Sequence, residues 1–368
     1  MKLTGYTLYR YSLPLVAPLT LKGWEFQCRE GLLLELVGEN GATGLGETSP
    51  LPGFSDETIE QSAGQLALLA KSLIGRDLTR NWLSHDGAFS QELDEIVLSS
   101  SVRFGIELAI YNLHAASEGK SLAEVFCHSP VASVPINGLL SGPADEVLVE
   151  GRRMRDAGYE AVKLKVGSRE VEADAQLVRG LREVLGEVVS LRLDANRAWS
   201  FAEAVDFARA VADVEYEYIE EPLTDPSGLA DLVRDRGVPV ALDESLVGMS
   251  PEDLGRHDYA RAVVIKPTLV DGISRTLRLA EEARRLGITP VISSAYETGV
   301  GTEALLALAA ATGGGRVAAG LDTYRRLKTD VLYPPFDMSA PRIDLREIAG
   351  IKRSLQESYL DVVSSSES

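Results

Sequence analysis

The sequence predicts an α/β protein in which a parallel β/α barrel is joined to a smaller α+β domain. After Pro135, short apolar strands alternate with helical stretches of about a dozen residues, which is typical of repeated β/α units. The preceding residues instead combine alternating strand patterns with long helices. The chain has 368 residues, more than one ordinary core accommodates. A large domain and a smaller one are therefore expected.

The opening region predicts an antiparallel sheet followed by helices. Residues 1–50 alternate in the manner of strands, and the Glu-Asn-Gly step at 39–41 predicts a hairpin turn. A helix is predicted from Asp56 to about residue 75, and another over 101–118 with Gly119 as its C-terminal stop. Polar residues and prolines interrupt the apolar stretch at the start of the chain, so it predicts a strand rather than a signal peptide.

Eight apolar segments then predict the strands of a parallel sheet closed into a barrel. They are 134–136, 161–166, 190–194, 216–220, 240–243, 261–266, 289–293 and 317–321. The stretch 324–335 is extended and rich in proline where an eighth helix would be expected. The prediction is therefore a modified TIM barrel of the form (β/α)7β with an α+β capping domain. The predicted bounds are 1–130 for the cap, 131–324 for the barrel and about 325–368 for a segment that completes the cap.

Composition and charge restrict the classes of partner. The formal net charge of −18 argues against nucleic acid, which requires clustered Lys and Arg. Apolar runs stay shorter than the about 18–20 residues that a membrane span requires, so no membrane partner is expected. The two cysteines, Cys28 and Cys127, predict no disulfide framework and favour a reducing cytoplasm. An anionic substrate is still compatible, because inward lysines and a divalent cation can make a site locally positive.

Polar residues recur at the C-terminal ends of successive predicted strands. Barrel enzymes build their active sites from these ends. An unpaired charge on so buried an element costs several kcal/mol. Charges that serve only the solvated surface would instead be expected on the helices. The residues, separated by 29, 26, 23, 23 and 27 positions, are Lys165, Asp194, Glu220, Asp243, Lys266 and Ser293. The spacing of about one β/α unit predicts that they meet in one active site.

Strand alternation predicts which lysines face the barrel interior. Side chains two residues apart face the same way, so Lys163 and Lys165 share the interior. Two neighbouring lysines lower each other's pKa, which is what a lysine general base requires. Lys266 is expected across the mouth of the barrel from Lys165, as a second acid/base or a fixed positive charge. A structural ion pair is the alternative for Lys266.

Three carboxylates on adjacent strands predict a metal site. Asp194, Glu220 and Asp243 can converge on one hard cation, and carboxylates completed by water suit magnesium. Glu221 cannot point inward together with Glu220 and is expected behind the site. The four histidines lack the spacing of a zinc site. Strand-end and helix caps are the structural alternative for the three carboxylates.

The motifs at these positions resemble the enolase superfamily, in its muconate-lactonising branch. They are Lys163-x-Lys165, Arg192-x-Asp194-x-Asn196, Ile219-Glu220-Glu221-Pro222, Asp243-Glu244-Ser245 and Val264-Ile265-Lys266-Pro267-Thr268. The resemblance implies a lysine base acting with magnesium, or manganese in its place, on an enediolate. By this resemblance, Asp194, Glu220 and Asp243 bind the metal, and Lys165 and Lys266 lie on opposite faces of the substrate. It also implies a substrate site lined by Lys163, Arg192, Ser293 and Gly320.

The resemblance extends to the class of substrate, a small carboxylate. The strings LRLDANRAWS and GLDT resemble the dehydratase members of this branch, which aromatise a hydroxycyclohexadiene carboxylate. The segment 296–299, Tyr-Glu-Thr-Gly, departs from the Ser-rich loop of some of these members, so N-acylamino acid racemisation stays an alternative. A dipeptide epimerase is disfavoured because 320–324 lacks a second aspartate. A non-catalytic metal-binding barrel is a distant alternative, and the oligomeric state is left open.

A lid over the site is also expected, on glycine content and on the same resemblance. The two candidate segments are 46–50 and 53–55. Glycine-containing loops of this kind absorb the backbone changes that closure over a substrate requires.

Overall fold

The protein is described from a computed structural model, and the structure describes residues 1–78 and 87–367. His85, one of the four histidines considered above, lies outside these described residues. In the described part of the chain, none of the helices is long and apolar enough to cross a membrane.

Strands and helices are numbered here in chain order. The strands are β1 Leu3–Leu21, β2 Trp24–Gly38, β3 Thr43–Thr48, β4 Ser133–Pro135, β5 Asn137–Leu140, β6 Ala161–Lys165, β7 Ser190–Asp194, β8 Tyr218–Glu220, β9 Val240–Leu242, β10 Ala262–Ile265, β11 Thr289–Ile292, β12 Leu332–Tyr333, β13 Arg342–Asp344, β14 Ser354–Leu355 and β15 Leu360–Glu367. The helices are α1 Ile59–Leu73, α2 Ala88–Asp94, α3 Ser100–Glu118, α4 Leu122–Phe126, α5 Ala144–Asp156, α6 Val171–Leu185, α7 Phe201–Ala210, α8 Leu229–Arg236, α9 Gly272–Arg285, α10 Gly299–Thr312 and α11 Leu345–Gly350. Short 3-10 helices cover Pro226–Gly228, Glu244–Leu246, Pro251–His257, Asp322–Arg326 and Glu357–Tyr359.

The first region is an antiparallel sheet covered by helices. Its four strands lie in the order β15–β1–β2–β3, and α1 and α3 pack on one face through a leucine-rich cluster. The last strand pairs with the first, with Gly5 opposite Glu367. The C-terminal segment therefore returns to the first sheet, while the exact domain bounds stay a prediction.

Both predicted helices of this region are present, with one shifted start. α3 ends at Gly119, whose φ of 64° is the left-handed conformation expected of its C-terminal stop. The predicted start of α1 at Asp56 is wrong. The side chain of Thr58 accepts the backbone N–H of Gln61, and the Gln61 side chain accepts the N–H of Thr58. This capping box makes Thr58 the residue that precedes the first turn.

The barrel is a parallel sheet of seven strands, closed by a very short eighth segment that forms only single bridges. Seven strands lie in the order β11–β10–β9–β8–β7–β6–β5. Closure comes from single bridges in which Ala319 pairs with Ile136 and Gly320 with Ser293. Since the eighth position pairs with both edge strands, the predicted (β/α)7β architecture is confirmed.

The first barrel strand differs from the prediction. The segment predicted at 134–136 mostly belongs to β4, which pairs antiparallel with β13, and the barrel strand is β5. Asn137-Gly138 is a dipeptide typical of turns, which hides this strand in the sequence. Position 138 within this strand is a glycine because the Met154 thioether occupies the space that a Cβ would need.

The barrel interior has an apolar layer beneath a polar one. Tyr218, Ala241, Val264 and Val291 belong to one buried cluster inside the barrel. The residues two positions further along each strand, Glu220, Asp243, Lys266 and Ser293, therefore face the same interior at its C-terminal end. The apolar layer supports the polar layer from below.

Candidate active site

A cavity of about 340 Å³ lies at the C-terminal ends of the barrel strands, a size typical of small-molecule sites. Five of the predicted site residues line it: Lys163, Lys165, Lys266, Ser293 and Gly320. The cap contributes 19–22 at the tip of the β1–β2 hairpin, together with Leu51 and Phe54. The cavity is thus bounded by both parts of the protein.

The predicted base, Lys165, is held by two oxygen atoms. Its Nζ donates to Asp194 Oδ2 at 2.6 Å and to Asn196 Oδ1 at 2.6 Å. Asn196 has a φ of 44°, an uncommon value for a residue with a side chain. The turn after β7 therefore positions the amide that holds the lysine.

The other two lysines also contact the buried carboxylates. Lys163 Nζ donates to the two Glu220 oxygens at 3.1 and 3.0 Å and lies 3.0 Å from Asp194 Oδ2. Lys266 Nζ donates to Asp243 Oδ2. The structure therefore brings both predicted catalytic lysines and all three predicted metal-binding carboxylates together.

The three carboxylates are almost completely buried. Asp194, Glu220 and Asp243 are 1%, 0% and 4% exposed. Burial, with the charge of Asp194, raises the pKa of Glu220 to about 8. Burial also raises the pKa of Asp194, but Lys163 and Lys165 outweigh it, and the pKa of Asp194 is lowered. The cluster is one that additional positive charge would stabilise.

The expected lowering of lysine pKa is wrong for Lys163. Burial acts to lower its pKa, but Asp194 and Glu220 outweigh burial and raise the pKa of Lys163 well above its ordinary value. Burial likewise lowers the pKa of Lys266, and Asp243 and Glu220 reverse the effect, so that its pKa is raised. The carboxylates that contact each ammonium thus have a larger effect on its pKa than the neighbouring lysine has.

The donor chemistry of the site fits a hard divalent cation. Among residues 1–78 and 87–367, no three carboxylate, histidine or cysteine groups already stand in coordinating geometry, since lysine ammonium groups contact the carboxylates. Next to Asp243, both oxygens of the Glu244 carboxylate are buried without a hydrogen-bond partner among the described residues. Oxygen donors from three adjacent strand ends are those that magnesium prefers. The buried Glu244 carboxylate, which lies 3.8 Å from Lys22 Nζ, could accept hydrogen bonds from a hydrated ion.

Glu221 supports the site from behind, as expected. Its carboxylate accepts from the backbone N–H of Asp243 at 2.9 Å and of Ser245 at 2.7 Å. Arg197 Nε donates to the same carboxylate at 2.9 Å. Since Glu221 fixes the backbone of Asp243, it positions the third carboxylate of the cluster.

The remaining predicted residues divide into two groups. Ser293 and Gly320 are adjacent on the cavity wall, with Ser293 Oγ 3.3 Å from the Gly320 carbonyl. The prediction that Arg192 lines the site is wrong, because Arg192 is not among the residues that line the cavity. Arg192 is 2% exposed, and its guanidinium donates hydrogen bonds to Glu217, Asn137 Oδ1 and the Ala318 carbonyl. It lies beneath the cavity, where it ties strands together.

The prediction of a lid at 46–50 is also wrong, because this segment begins within a strand of the first sheet. Gly46 lies in β3, where a Cβ would overlap the Gly105 carbonyl of α3, so this glycine serves close packing and not motion. Phe54 does reach the cavity, where Lys22 Nζ lies 3.9 Å from its ring centre. Sequence reasoning missed Lys22. The only indication was the Lys22-Gly23 turn within a long strand pattern, which gives no information on what it contacts.

Sequence comparison places the chain in a known family. Residues 146–357 match the family described as "Enolase C-terminal domain-like", and residues 3–113 match "MenC, N-terminal domain". The chain belongs to the enolase superfamily. The o-succinylbenzoate synthase of Vibrio cholerae serotype O1 (strain ATCC 39315 / El Tor Inaba N16961) is 33% identical over 360 residues, which cover 95% of this chain and 98% of that one. The chain is therefore an enzyme, a hydro-lyase.

Solved structures share the whole architecture. An N-succinyl Arg/Lys racemase from Bacillus cereus ATCC 14579 superimposes with a TM-score of 0.84 at 21% identity, over 99% of this chain and 100% of that one. A dipeptide epimerase from Enterococcus faecalis V583, complexed with Mg and the dipeptide L-Leu-L-Tyr, gives 0.84 at 24% identity, over 94% and 97%. At these identities the likeness establishes the fold.

Proposed function

We propose that the protein is an o-succinylbenzoate synthase that dehydrates 2-succinyl-6-hydroxy-2,4-cyclohexadiene-1-carboxylate in menaquinone biosynthesis. The observation that carries the proposal is the pair Lys165 and Lys266, which line one cavity beside three buried carboxylates. Full-length similarity to a synthase supports this substrate over others. The partner is accordingly a small carboxylate, with no nucleic acid and no membrane.

Lys165 acts as base and then as acid. Its neutral amine takes the proton from the carbon that bears the carboxylate, and the electron pair of the broken C–H bond moves toward that carboxylate. The resulting ammonium then gives the proton to the departing hydroxyl. A C–H and a C–O bond break, a ring double bond forms, and water leaves with an aromatic product. Asn196 and Asp194 accept hydrogen bonds from the Lys165 ammonium and hold it in place between the two steps.

Lys266 and the carboxylates handle the negative charge that develops. The Lys266 ammonium, next to Asp243, stabilises charge on the substrate without transferring a proton. Asp194, Glu220 and Asp243 would hold magnesium, with manganese able to replace it. The bound ion supplies positive charge to the substrate carboxylate.

A second candidate is N-acylamino acid racemisation. It needs one acid/base on each face of the substrate, and both Lys165 and Lys266 reach the cavity. Tyr296, in the loop that departs from the Ser-rich pattern, lines the same cavity and shapes the space for the substrate. In this reaction Lys266 must exchange protons, whereas dehydration uses only its charge.

The proposed compartment is the cytoplasm. Cys28 and Cys127 are both free thiols, which suits a reducing environment.

The test compares both reactions in one buffer with magnesium. Steady-state turnover of the cyclohexadiene carboxylate is measured by appearance of the aromatic product, and N-succinyl amino acid racemisation by loss of optical rotation. We expect fast dehydration and racemisation at least about 100-fold slower in kcat/KM, because the proposed synthase would stabilise the transition state of dehydration more than that of racemisation. Efficient racemisation with poor dehydration would overturn the proposed substrate.

A further inference from the structure

The cavity wall carries an arginine that the proposed chemistry does not use. Arg326 closes the 3-10 helix Asp322–Arg326 and lines the cavity together with Thr323 and Tyr296. Within the described part of the chain, its guanidinium makes no hydrogen bond and no ion pair, and its side chain is exposed. The adjacent Arg325 differs, since it pairs with Asp322 at 3.2 Å. Arg326 is therefore a positive charge available to a ligand.

The charge lining the cavity is positive, although the protein carries a net −18. The basic side chains among the described lining residues are Lys22, Lys163, Lys165, Lys266 and Arg326, against one acidic side chain, Asp322. The three barrel lysines are paired with carboxylates, and Lys22 lies 3.8 Å from Glu244. Asp322 is occupied by Arg325 and by the backbone N–H of Leu139. The cavity thus favours an anion at the end where Arg326 stands.

Tyr296 is held rigidly next to this end of the cavity. Its φ of 65° is in the left-handed region, which a side chain disfavours. Its N–H donates to Ser294 Oγ at 2.9 Å, and its carbonyl accepts from Arg29 Nε at 3.1 Å. Strained backbone of this kind clusters where a ligand is positioned. The Tyr296 side chain faces the cavity within electrostatic reach of Arg326 and Lys266.

We propose that Arg326 and the Tyr296 hydroxyl bind a second carboxylate of the substrate, at the end of the molecule remote from Lys165. The inference rests on the proposed function, since the substrate named there ends in a succinyl chain. A guanidinium presents parallel N–H donors that match a carboxylate, and a neutral phenol adds a third donor. The two residues would thereby select dicarboxylates over monocarboxylates of the same ring.

The test separates the remote carboxylate from the rest of the ligand. Binding of o-succinylbenzoate and of its succinyl-end carboxamide is measured by titration calorimetry with magnesium, for the wild-type protein, Arg326→Gln, Arg326→Lys and Tyr296→Phe. The matched control is Arg236→Gln, at an exposed arginine of α8 that does not line the cavity. We expect the wild-type protein and the control to bind the acid about tenfold more tightly than the amide. Arg326→Gln should reduce this preference to below about twofold, with Arg326→Lys and Tyr296→Phe in between.

Two outcomes would overturn the inference. One is equal binding of acid and amide by the wild-type protein, and the other is a full preference retained by Arg326→Gln. Turnover in the same preparations separates this inference from the proposed function. Dehydration without acid preference removes the subsite and leaves the function, whereas Arg326-dependent preference without dehydration removes the function and leaves the subsite. Circular dichroism of each variant establishes that it is folded.

Discussion

Glu47 Oε2 accepts a hydrogen bond from the Thr298 hydroxyl at 2.7 Å, although 251 residues separate the two in the sequence. The same carboxylate accepts the N–H of Thr298 and of Gly301 at the N-terminus of α10, and the Tyr11 hydroxyl at 2.7 Å. Glu47 is fully buried. A carboxylate at a helix N-terminus is stabilised by the helix dipole as well as by these donors. This residue joins the cap to the barrel just after the loop that contains Tyr296.

Glu47→Gln is expected to destabilise the protein by about 2–3 kcal/mol, because charge-assisted hydrogen bonds are lost and an amide N–H₂ must face backbone N–H donors. The measurement is the urea midpoint, with the slope of the transition as a check on its cooperativity. Glu25→Gln, at an exposed carboxylate of the same sheet, is the control and should leave the midpoint unchanged. A Glu47→Gln midpoint equal to that of the control would show that this contact does not stabilise the fold.

Glu297 predicts a pH dependence of stability. Burial raises its pKa above the ordinary value of a glutamate. Because the pKa is higher in the folded than in the unfolded protein, protonation of Glu297 favours the folded state. This contribution to the free energy of unfolding is complete below the unfolded pKa, about pH 4.3, and is lost as pH rises through the folded pKa. Its carboxylate accepts from the Ala295 N–H and the Thr268 hydroxyl, and a glutamine can keep both contacts with the hydroxyl as acceptor.

Lowering the pH from about 7.5 to about 5 should therefore raise the Tm less in Glu297→Gln than in the wild-type protein, because glutamine cannot take up the proton. Calorimetric scans at both pH values measure it, and Glu281→Gln, at an exposed carboxylate of α9, controls for the loss of one charge. An unchanged pH dependence in Glu297→Gln would mean that this carboxyl does not titrate as its burial predicts.

The location of the polar residues inside the barrel could be predicted from the sequence because it follows from local geometry. Alternation along a strand assigns Lys163, Lys165 and Glu220 to the interior whatever the rest of the fold does. The regular length of β/α units brings the strand ends to one face. Both features are local in the sequence, and the fold class that they predict is confirmed by the sheet order and by the structural neighbours.

Residues whose role depends on distant contacts could not be predicted in this way. Arg192 lies beneath the cavity because Asn137 and Ala318, remote in sequence, accept from it. Gly46 was interpreted as part of a lid because nothing nearby indicates the helix that packs on it. Lys22 reaches the site only through docking of the cap onto the barrel. A pattern of residue types carries no information on these tertiary contacts.

Chelation should inactivate the enzyme reversibly. EDTA is expected to abolish turnover, and magnesium or manganese to restore it, because the three buried carboxylates are the proposed ligands of the ion that stabilises negative charge on the substrate. Metal binding should also raise the Tm of the wild-type protein by mass action. Asp243→Asn should lose most of that increase, whereas Asp258→Asn, at an exposed site, should keep it. Turnover that is indifferent to chelation would remove the metal site from the account.

Lys266→Met tests whether this lysine acts through its charge. Loss of an ammonium beside Asp243 is expected to lower kcat for dehydration about 100-fold, since a preorganised positive charge is lost from the transition state. Lys71→Met, at an exposed lysine of α1, controls for the substitution. Turnover of Lys266→Met within about threefold of the control would contradict a role in charge stabilisation.

Lys165 is central to the proposed function, in which it removes and returns the proton. The most direct measurement is kcat for dehydration by Lys165→Met, together with exchange of the α-proton into deuterated water. A loss of at least about 1,000-fold in kcat and no detectable exchange is the expected result, in a variant whose circular dichroism matches the wild-type protein. Near-normal turnover, or exchange that continues without Lys165, would contradict the account.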